Sequence, residues 1–512
     1  MMNVSPKILS LSADAEDNAA ITKGGVLCYG HFNVLHPGHF RYLEYAKSLG
    51  EVVRVFVMND DALPETDRSH YFSIEERANA LANLPAVDQV ILAPNGALAD
   101  AVQRIEPACL VLGKEYEADR SKDIADAVAL VEKAGTEIFF HAGETHYAVS
   151  LLNNEPQEQE DAKRLGAYHE TCRRQNIDIK MMKDAVSRFD QSRILVIGDT
   201  IIDQFVACDA LGMSAEAPVI VVRELDAKQY AGGAAIVAAH AAALGADCHY
   251  LSVVGDDENA RWIENDLNER NVSHHLIVDP SRPTTFKIRY MVERQKMFRV
   301  SRLKEHSAPS AVEECIIDKI SELAPTIDAI LISDFVYGVI TPDVLAHIRK
   351  VAIEHDLMLF GDIQCSSQVG NVLKFEDFTL LCPTEREARI GVGTSDGGIE
   401  WVANQVLERT RSKALLMKLG SEGFIAYAQD GDFVQREHFP ALISNPADVA
   451  GAGDSLLAVL PVALASGANI MEASAIGAHM AALSVSQMGN TPISAQKLLL
   501  NIEKDWISHG TT

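Results

Sequence analysis

Two short strings in this chain have the residue types and spacing to hold a polyphosphate. The first is Gly30-His31-Phe32-Asn33-Val34-Leu35-His36-Pro37-Gly38-His39. It follows an apolar run and opens an amphipathic one, with Pro37 suited to a first helical position. A helix start offers free N–H groups and the positive end of the dipole. His36 and His39, three apart, project on one face there. Two imidazoles at such a place can donate to a triphosphate as charge builds on the departing pyrophosphate, and Gly38 lets a nucleotide approach the backbone. Ordinary turn histidines and a zinc pair are the competing readings. The zinc pair has no third ligand nearby in sequence.

The second string is Asn445-Pro446-Ala447-Asp448-Val449-Ala450-Gly451-Ala452-Gly453-Asp454-Ser455, again just before an apolar helix. Small residues let consecutive N–H groups point at one anion. A carboxylate at that helix start, Asp454, can take the proton of a substrate hydroxyl while the N–H groups steady a transferring phosphoryl group. A Gly-rich turn with Asp as its cap is the bland alternative. The full D-x-x-G-A-G-D string is far more specific than G-A-G alone.

These strings need rigid elements behind them. From Gly24 the pattern is an apolar run, a turn, an amphipathic helix and another apolar run, which is a βαβ unit. Helices are expected at Ser73–Leu84, Ala97–Ile105 and Lys122–Ala134, and strands at Gln89–Ala93, Cys109–Gly113 and Glu137–His141. Polarity rises over Asn153–Asn176, and a helical linker is expected to run to about Asp190. A second α/β pattern begins at Arg193. Its strands include AILISDF, MLFGDI, TLLCP, ALLMKLG and FIAYA, and its C-terminal part is helical over Ala452–Val462 and Ile470–Ser486. The alternating stretch Thr284–Leu303 reads as a half-exposed antiparallel β-lid. The expected class is α/β, with two doubly wound parallel-sheet domains. The expected division is a flexible leader over 1–23, a first domain over 24–152, a linker over 153–190 and a second domain over 191–512.

Composition agrees. At about 150 residues per domain, 512 residues imply two to four domains. With 47% hydrophobic residues the chain can bury cores. Lys+Arg number 45 against 72 Asp+Glu, a formal charge of −27. That argues against a nucleic-acid or anionic-membrane binder, but a few local donors still hold small phosphates. Eight scattered cysteines without a C-x-x-C pair read as reduced thiols of a cytoplasmic protein. No secretory signal and no membrane span is recognisable.

The first string resembles the G-x-F-D-x-x-H-x-G-H signature of the cytidylyltransferase-like nucleotidyltransferases, over roughly Gly25–Ser150. Asn59-Asp60, Glu76-Arg77 and Val87–Val90 match further pieces. The resemblance implies a Rossmann-like fold, with Gly30, Phe32, Gly38 and Lys114 on the nucleotide and His36 and His39 catalytic. Three departures stand out. Asn33 replaces the usual Asp, and Arg68 stands in for a lysine absent from ALPETDRSHYF. The late S-T-T-x-I motif is not recognisable in Gly143–Leu152, where Thr145 and Ser150 are weak stand-ins.

The second string resembles the ribokinase-like PfkB carbohydrate kinases, over about Arg193–Gly489. By that resemblance Asp454 is the catalytic base and Gly451, Ala452 and Gly453 form the anion hole. Lys418, Gly420 and Gly423 lie on the nucleotide side. Asp199, Asp203, Gly232, Gly233 and Asp334 meet the sugar. Glu387, in a P-N-x-x-E segment with Thr384 in the Asn place, helps organise Mg2+ and its waters. Among the lid cations, Arg294, Lys296 and Arg299 are candidates to grip a phosphate already on the sugar; a solvated strand face is the alternative. Related lids pair subunits, which implies a homodimer.

SAEAPVIVV, AGGAAIVAAHAAALGA and ISDFVYG resemble the bifunctional heptose kinase/nucleotidyltransferases of lipopolysaccharide-core synthesis. Here the domain order is inverted, and Tyr337 stands where those enzymes have a lysine. The expected chemistry is ATP-dependent phosphorylation of a sugar or sugar phosphate. Nucleotidyl transfer from CTP or ATP to the sugar 1-phosphate then gives NDP-sugar and pyrophosphate. The competing readings are a kinase with an inactive transferase-like module and a nucleotide-binding regulator.

Overall fold

Fully apolar five- and six-residue runs between amphipathic helices become central strands buried on both faces. The computed structural model describes residues 5–11, 22–33, 35–60, 72–93, 98–117, 121–141, 157–213, 219–292, 295–365, 368–395, 397–431, 433–487 and 489–509. They pack as two units. The first is Met1–Asn154 with Val392–Val406 and Tyr427–His438. The second is Glu155–Gly391 with Leu407–Ala426 and Phe439–Thr512. Arg294, Arg68 and Gly143–Leu152, with Thr145 and Ser150, lie outside the described residues.

In the first unit β1 (Ile8–Ser10), β2 (Val26–Gly30), β3 (Val53–Val57), β4 (Gln89–Leu92), β5 (Cys109–Gly113) and β6 (Glu137–His141) form one sheet in the order β1-β4-β3-β2-β5-β6. All its pairings are parallel. The order reverses between β2 and β5, and a sheet of this kind leaves a crevice at the carboxyl ends there. The first string follows β2 and Lys114 follows β5. The leader expected to be loose contains β1, because Ile8, Leu9 and Ser10 extend the sheet beside β4.

The second unit begins with helices rather than a linker. Gln157–Arg174 and Ile179–Val186 are helical. Tyr168 and Cys172 are fully buried, and the Tyr168 hydroxyl donates to the Ala475 carbonyl at 3.1 Å. High polarity on the exposed face hid this narrow apolar stripe.

The strands that follow are β7 (Arg193–Gly198), β8 (Thr200–Met213), β9 (Ile220–Gly233), β10 (Asp247–Val254), β11 (Ser273–Val278), β12 (Thr285–Val292) and β13 (Gln295–Arg302). After them come β14 (Ala329–Asp334), β15 (Met358–Ile363), β16 (Leu380–Leu381), β17 (Ala414–Lys418), β18 (Phe424–Asp430) and β19 (Phe433–Phe439). Nine form a sheet ordered β11-β10-β7-β14-β15-β16-β17-β18-β19. Four form a lid ordered β13-β12-β8-β9. The lid is larger than the sequence pattern suggests. β12 and β13 are antiparallel as expected, and the long β8–β9 hairpin adds two strands. The large sheet reverses order between β7 and β14, and Asp199 and Asp334 stand at those carboxyl ends.

Tyr168→Ala is expected to lower the unfolding free energy of the second unit by about 3–5 kcal/mol, read by denaturant titration of the full chain. A loss under about 1 kcal/mol, as for an exposed site, would mean that the Gln157–Arg174 helix is a detached connector.

Candidate active sites

In the first unit His36 is the residue before the helix Pro37–Leu49, with extended backbone (φ −139°, ψ 167°) and no side-chain cap on that helix. Its ring stacks on that of His39 with centroids 3.9 Å apart. The Nδ1 atoms of both rings are buried and have no hydrogen-bond partner among the described residues. Phe32 is buried beside His39 in a left-handed backbone conformation (φ +50°). A Cβ on Gly30 would meet the Phe32 ring at 2.9 Å, so glycine lets that ring fold back over the strand end. Gly38 lies against the His36 imidazole. Lys114 pairs with Glu117 at 2.6 Å.

Arg77 fixes the surrounding loops. Its buried guanidinium donates to the carbonyls of Phe72, His31 and Met58 and pairs with Asp60. Asn33 also closes a loop, its Oδ1 accepting from the Phe72 N–H at 2.8 Å. Asn in place of Asp therefore keeps a structural acceptor while removing a charge.

Sequence reasoning missed Glu400. It belongs to the 392–406 segment that packs with this unit. Its Oε1 lies 3.1 Å from His36 Nε2, and its Oε2 lies 3.5 Å from His31 Nε2 and 2.9 Å from an Arg436 nitrogen. Burial pushes this carboxyl up, but Arg436 and the bonds from His31 and His36 outweigh it and hold it well below the usual range. Burial, and next the neighbouring His36, pull the His39 imidazole well below its ordinary value. The ligand atoms of His36, His39 and Glu400 all lie within 4.8 Å of one another, so a third donor does join the histidine pair. Arg436 on the same carboxylate opposes a metal cation there, because like charges repel at that range. The cluster is a nest of donors closed on an anion. Separation of more than 360 residues left no local signal for Glu400.

In the second unit Asp454 sits in the first turn of the helix Ala452–Ala465, which no side chain caps. Gly451 precedes it at φ +83°, and a Cβ there would strike Asn490 Oδ1 at 2.2 Å. The N–H groups of this helix start are left uncapped by any side chain, as an anion site requires. Asp454 Oδ1 is buried with no partner among the described residues. Burial pushes its carboxyl up to about 6; Lys418, Lys287 and Arg289 counter that, while Asp203 adds to it.

The same residues surround it in space. Lys418 ends β17, and its Nζ lies 2.8 Å from Asp362 Oδ1. Asp203 pairs with Arg289, and Gly232 packs against its carboxylate. Asp199 Oδ2 accepts from the N–H groups of Phe335 and Tyr337 at 2.8 and 3.2 Å. Burial, and next the neighbouring Asp334, push Asp199 up. Asp334 itself is paired with Lys374. Gly233 caps the helix Ala234–Ala243. Gly420 lies open on the turn after β17, whereas Gly423 packs on the Phe439 carbonyl.

The lid cations sort differently from expectation. Lys287 is buried, its Nζ 5.1 and 5.2 Å from the Phe335 and Tyr337 rings. Lys287 pairs in register with Asp203, and Arg289 with Phe205, on one lid face. Lys296 reaches Asp448 at 3.5 Å from an otherwise exposed strand, and Arg299 is exposed. Strand alternation marks 287 and 289 as one face, but only the β8 register shows that Asp203 lies on it.

Glu387 is buried, and its carboxylate accepts from the N–H groups of Cys365 at 3.0 Å and Thr384 at 2.8 Å. Thr384 Oγ1 in turn accepts from the Glu387 N–H at 3.2 Å, so the pair is a capping box. Each carboxylate oxygen keeps a lone pair. That fits holding the waters of a Mg2+ that arrives with a nucleotide, and the ion keeps several waters in such sites. A separate depression of about 390 Å3 near Arg193, Asp328 and Met358 lies at the amino ends of β7, β14 and β15, opposite Asp199, Asp334 and Asp362. It holds none of these groups.

Comparison with known proteins finds a family model for each of two regions of the chain. Residues 191–497 match the model of the pfkB family of carbohydrate kinases. The chain belongs to the pfkB family. Residues 27–224 match the cytidylyltransferase-like model. Among curated relatives, a bifunctional protein HldE of Rhodopseudomonas palustris is 30% identical over 60% of this chain and 62% of its own length. One of Geobacter metallireducens is 30% identical over 62% and 65%. The chain thus spans less than two thirds of these relatives. Phosphofructokinase-2 of Escherichia coli shares the pfkB-type fold at 15% identity and a TM-score of 0.52, over 62% of this chain and 99% of that one.

A base raised to about 6 is protonated below that pH and cannot take the hydroxyl proton. Kinase kcat/KM is therefore expected to fall about tenfold per unit as pH drops below that value. Asp454→Asn is expected to lower kcat by roughly two to four powers of ten and leave ATP affinity within a few-fold. Retained turnover would remove Asp454 as the base.

Proposed function

We propose that this chain is a bifunctional sugar-nucleotide enzyme. Its pfkB unit transfers the γ-phosphoryl group of ATP to a sugar phosphate of the heptose 7-phosphate type. Its first unit then joins the resulting sugar 1-phosphate to a nucleotide from CTP or ATP, releasing pyrophosphate. The observation that carries the reading is Asp454 at an uncapped helix start behind Gly451, ringed by Lys418, Asp203, Lys287 and Arg289. The kinship to HldE proteins supports the pairing of the two activities.

In the kinase step Asp454 takes the hydroxyl proton as the acceptor oxygen attacks. The N–H groups of the Gly451–Gly453 turn hold charge developing on the phosphoryl oxygens. Asp199, fixed by two backbone N–H groups, orients sugar hydroxyls, and Lys287 and Arg289 supply positive charge for a phosphate on the sugar. Glu387 would hold water of the Mg2+, which neutralises the nucleotide phosphates when bound. In the transfer step the sugar phosphate attacks the α-phosphorus directly, and His36 and His39 donate to the departing pyrophosphate.

A specific observation favours a second reading, a kinase with a silent transferase-like unit. The histidine nest already holds the Glu400 carboxylate, and Asn33 replaces the usual Asp. Pyrophosphate release with CTP or ATP and a panel of heptose, hexose and pentose 1-phosphates separates the two readings. The first predicts release that His36→Ala abolishes while the kinase persists. Kinase turnover without release from any pair establishes the second.

We infer a cytoplasmic location from the proposed substrates, since ATP, CTP and sugar phosphates are cytoplasmic metabolites. Among the described residues no helix is long and apolar enough to cross a membrane. The lid carries Leu211, Val219, Ile220, Val221, Leu225, Phe298 and Val300 on its surface, with Leu225 61% exposed. Such a patch fits a partner surface, and a second lid is the occupant we propose. Sedimentation is expected to give a homodimer that Leu225→Asp dissociates. A monomer for the unaltered chain at micromolar concentration would overturn this.

A further inference from the structure

Lys418 ends β17 with its side chain buried, 10% exposed, against a fully buried Asp362. Gln364 Nε2 donates to the other Asp362 oxygen at 2.9 Å, so this carboxylate is held from both sides. The ammonium does not face the sheet interior alone. A Cβ built on Gly453 would lie 3.7 Å from Lys418 Nζ, which sets the cation against the Gly451–Gly453 turn. The next residue is Asp454. Around Lys418 stand Asp362, Glu387 and Cys382, and around Asp454 stand Lys418, Asp203, Lys287 and Arg289.

Burial pulls the lysine down, but Asp362 and Glu387 outweigh it, so the ammonium keeps its proton. A buried ion pair contributes little to stability compared with well-packed apolar side chains of the same volume. An ammonium has three donors, and Asp362 takes one. Its place beside the turn therefore suits a further negative charge arriving there.

We propose that Lys418 is a catalytic cation of the kinase site that donates to an oxygen of the transferring phosphoryl group beside the Gly451–Gly453 turn, and that Asp362 is the positioning residue that holds it there. This rests on the kinase reading above. The acceptor oxygen forms a bond to the γ-phosphorus. The bond from that phosphorus to the β–γ bridging oxygen breaks, and its electron pair leaves with ADP. The hydroxyl proton goes to Asp454, and Lys418 keeps its own. Charge accumulates on the phosphoryl oxygens and the leaving oxygen during this exchange, and a fixed cation at that place stabilises it more than the ground state.

The test uses the full chain with Mg·ATP and whichever acceptor from a panel of heptose, hexose and pentose phosphates turns over fastest. Lys418→Met is expected to lower kcat about 100-fold or more, with KM for ATP within threefold; the thermal midpoint is expected to fall, because Asp362 is left buried without its cation. Lys418→Arg keeps the charge and is expected to retain at least a tenth of the turnover. Lys418→Ala is expected to regain at least tenfold in kcat with added ammonium ion, a rescue that a purely structural lysine would not show. Asp362→Asn is expected to lower kcat about tenfold, and the Asp362→Asn, Lys418→Met double variant is expected to match Lys418→Met alone. A Lys418→Met enzyme within threefold of full kcat overturns the proposal, as does a rise in KM for ATP alone. If Lys418→Met does not fold, failure of ammonium to rescue a folded Lys418→Ala overturns it. Absence of phosphoryl transfer by the unaltered chain with every acceptor instead sinks the kinase reading itself.

Discussion

Burying carboxylates demands cations, and the larger unit is organised around that demand. Asp199, Asp334, Asp362 and Glu387 are all buried near the carboxyl ends of the parallel strands, and Asp454 stands in the first turn of the helix beyond them. An isolated buried carboxylate costs several kcal/mol unless it is protonated, paired or hydrogen-bonded. Two kinds of partner meet that cost here. Backbone N–H groups hold Asp199 and Glu387, Lys374 pairs with Asp334, and Lys418 pairs with Asp362. Asp454 and Asp199 each keep one buried oxygen, Oδ1 in both, without a partner among the described residues. Of the two, only Asp454 stands in the first turn of the helix that Gly451 precedes.

The α/β alternation of the sequence was legible because central parallel strands are apolar throughout. MLFGDI coincides with β15 and Glu137–His141 with β6. The two polyphosphate strings were legible for a similar reason: glycine, proline and the key side chain fall within ten residues. The long hairpin β8–β9 escaped notice because β9 is exposed along most of its length and lacks an apolar face. Likewise the helix Gln157–Arg174 reads as polar, yet Tyr168 and Cys172 anchor it.

The same limit applies inside the sites. The choice among lid cations rested on charge, and charge is the same for Lys287, Lys296 and Arg299. Their difference is register: β12 runs parallel to β8, so Lys287 meets Asp203, whereas β13 is an exposed edge. Glu400 and Arg436 lie far along the chain from His36, and no local pattern connects them. Residues that act through long-range pairing carry no spacing signature.

The Glu400 carboxylate has a thermodynamic corollary. Because the imidazoles of His31 and His36 already hold a charge of the sign that phosphates carry, a nucleotide bound there, on the reading proposed above, does not fill an empty nest. It competes in an exchange of one negative ligand for another. The observed affinity is then the difference between two attractions, weaker than either, and the vacated side chain must find water or a new cation before the complex is complete.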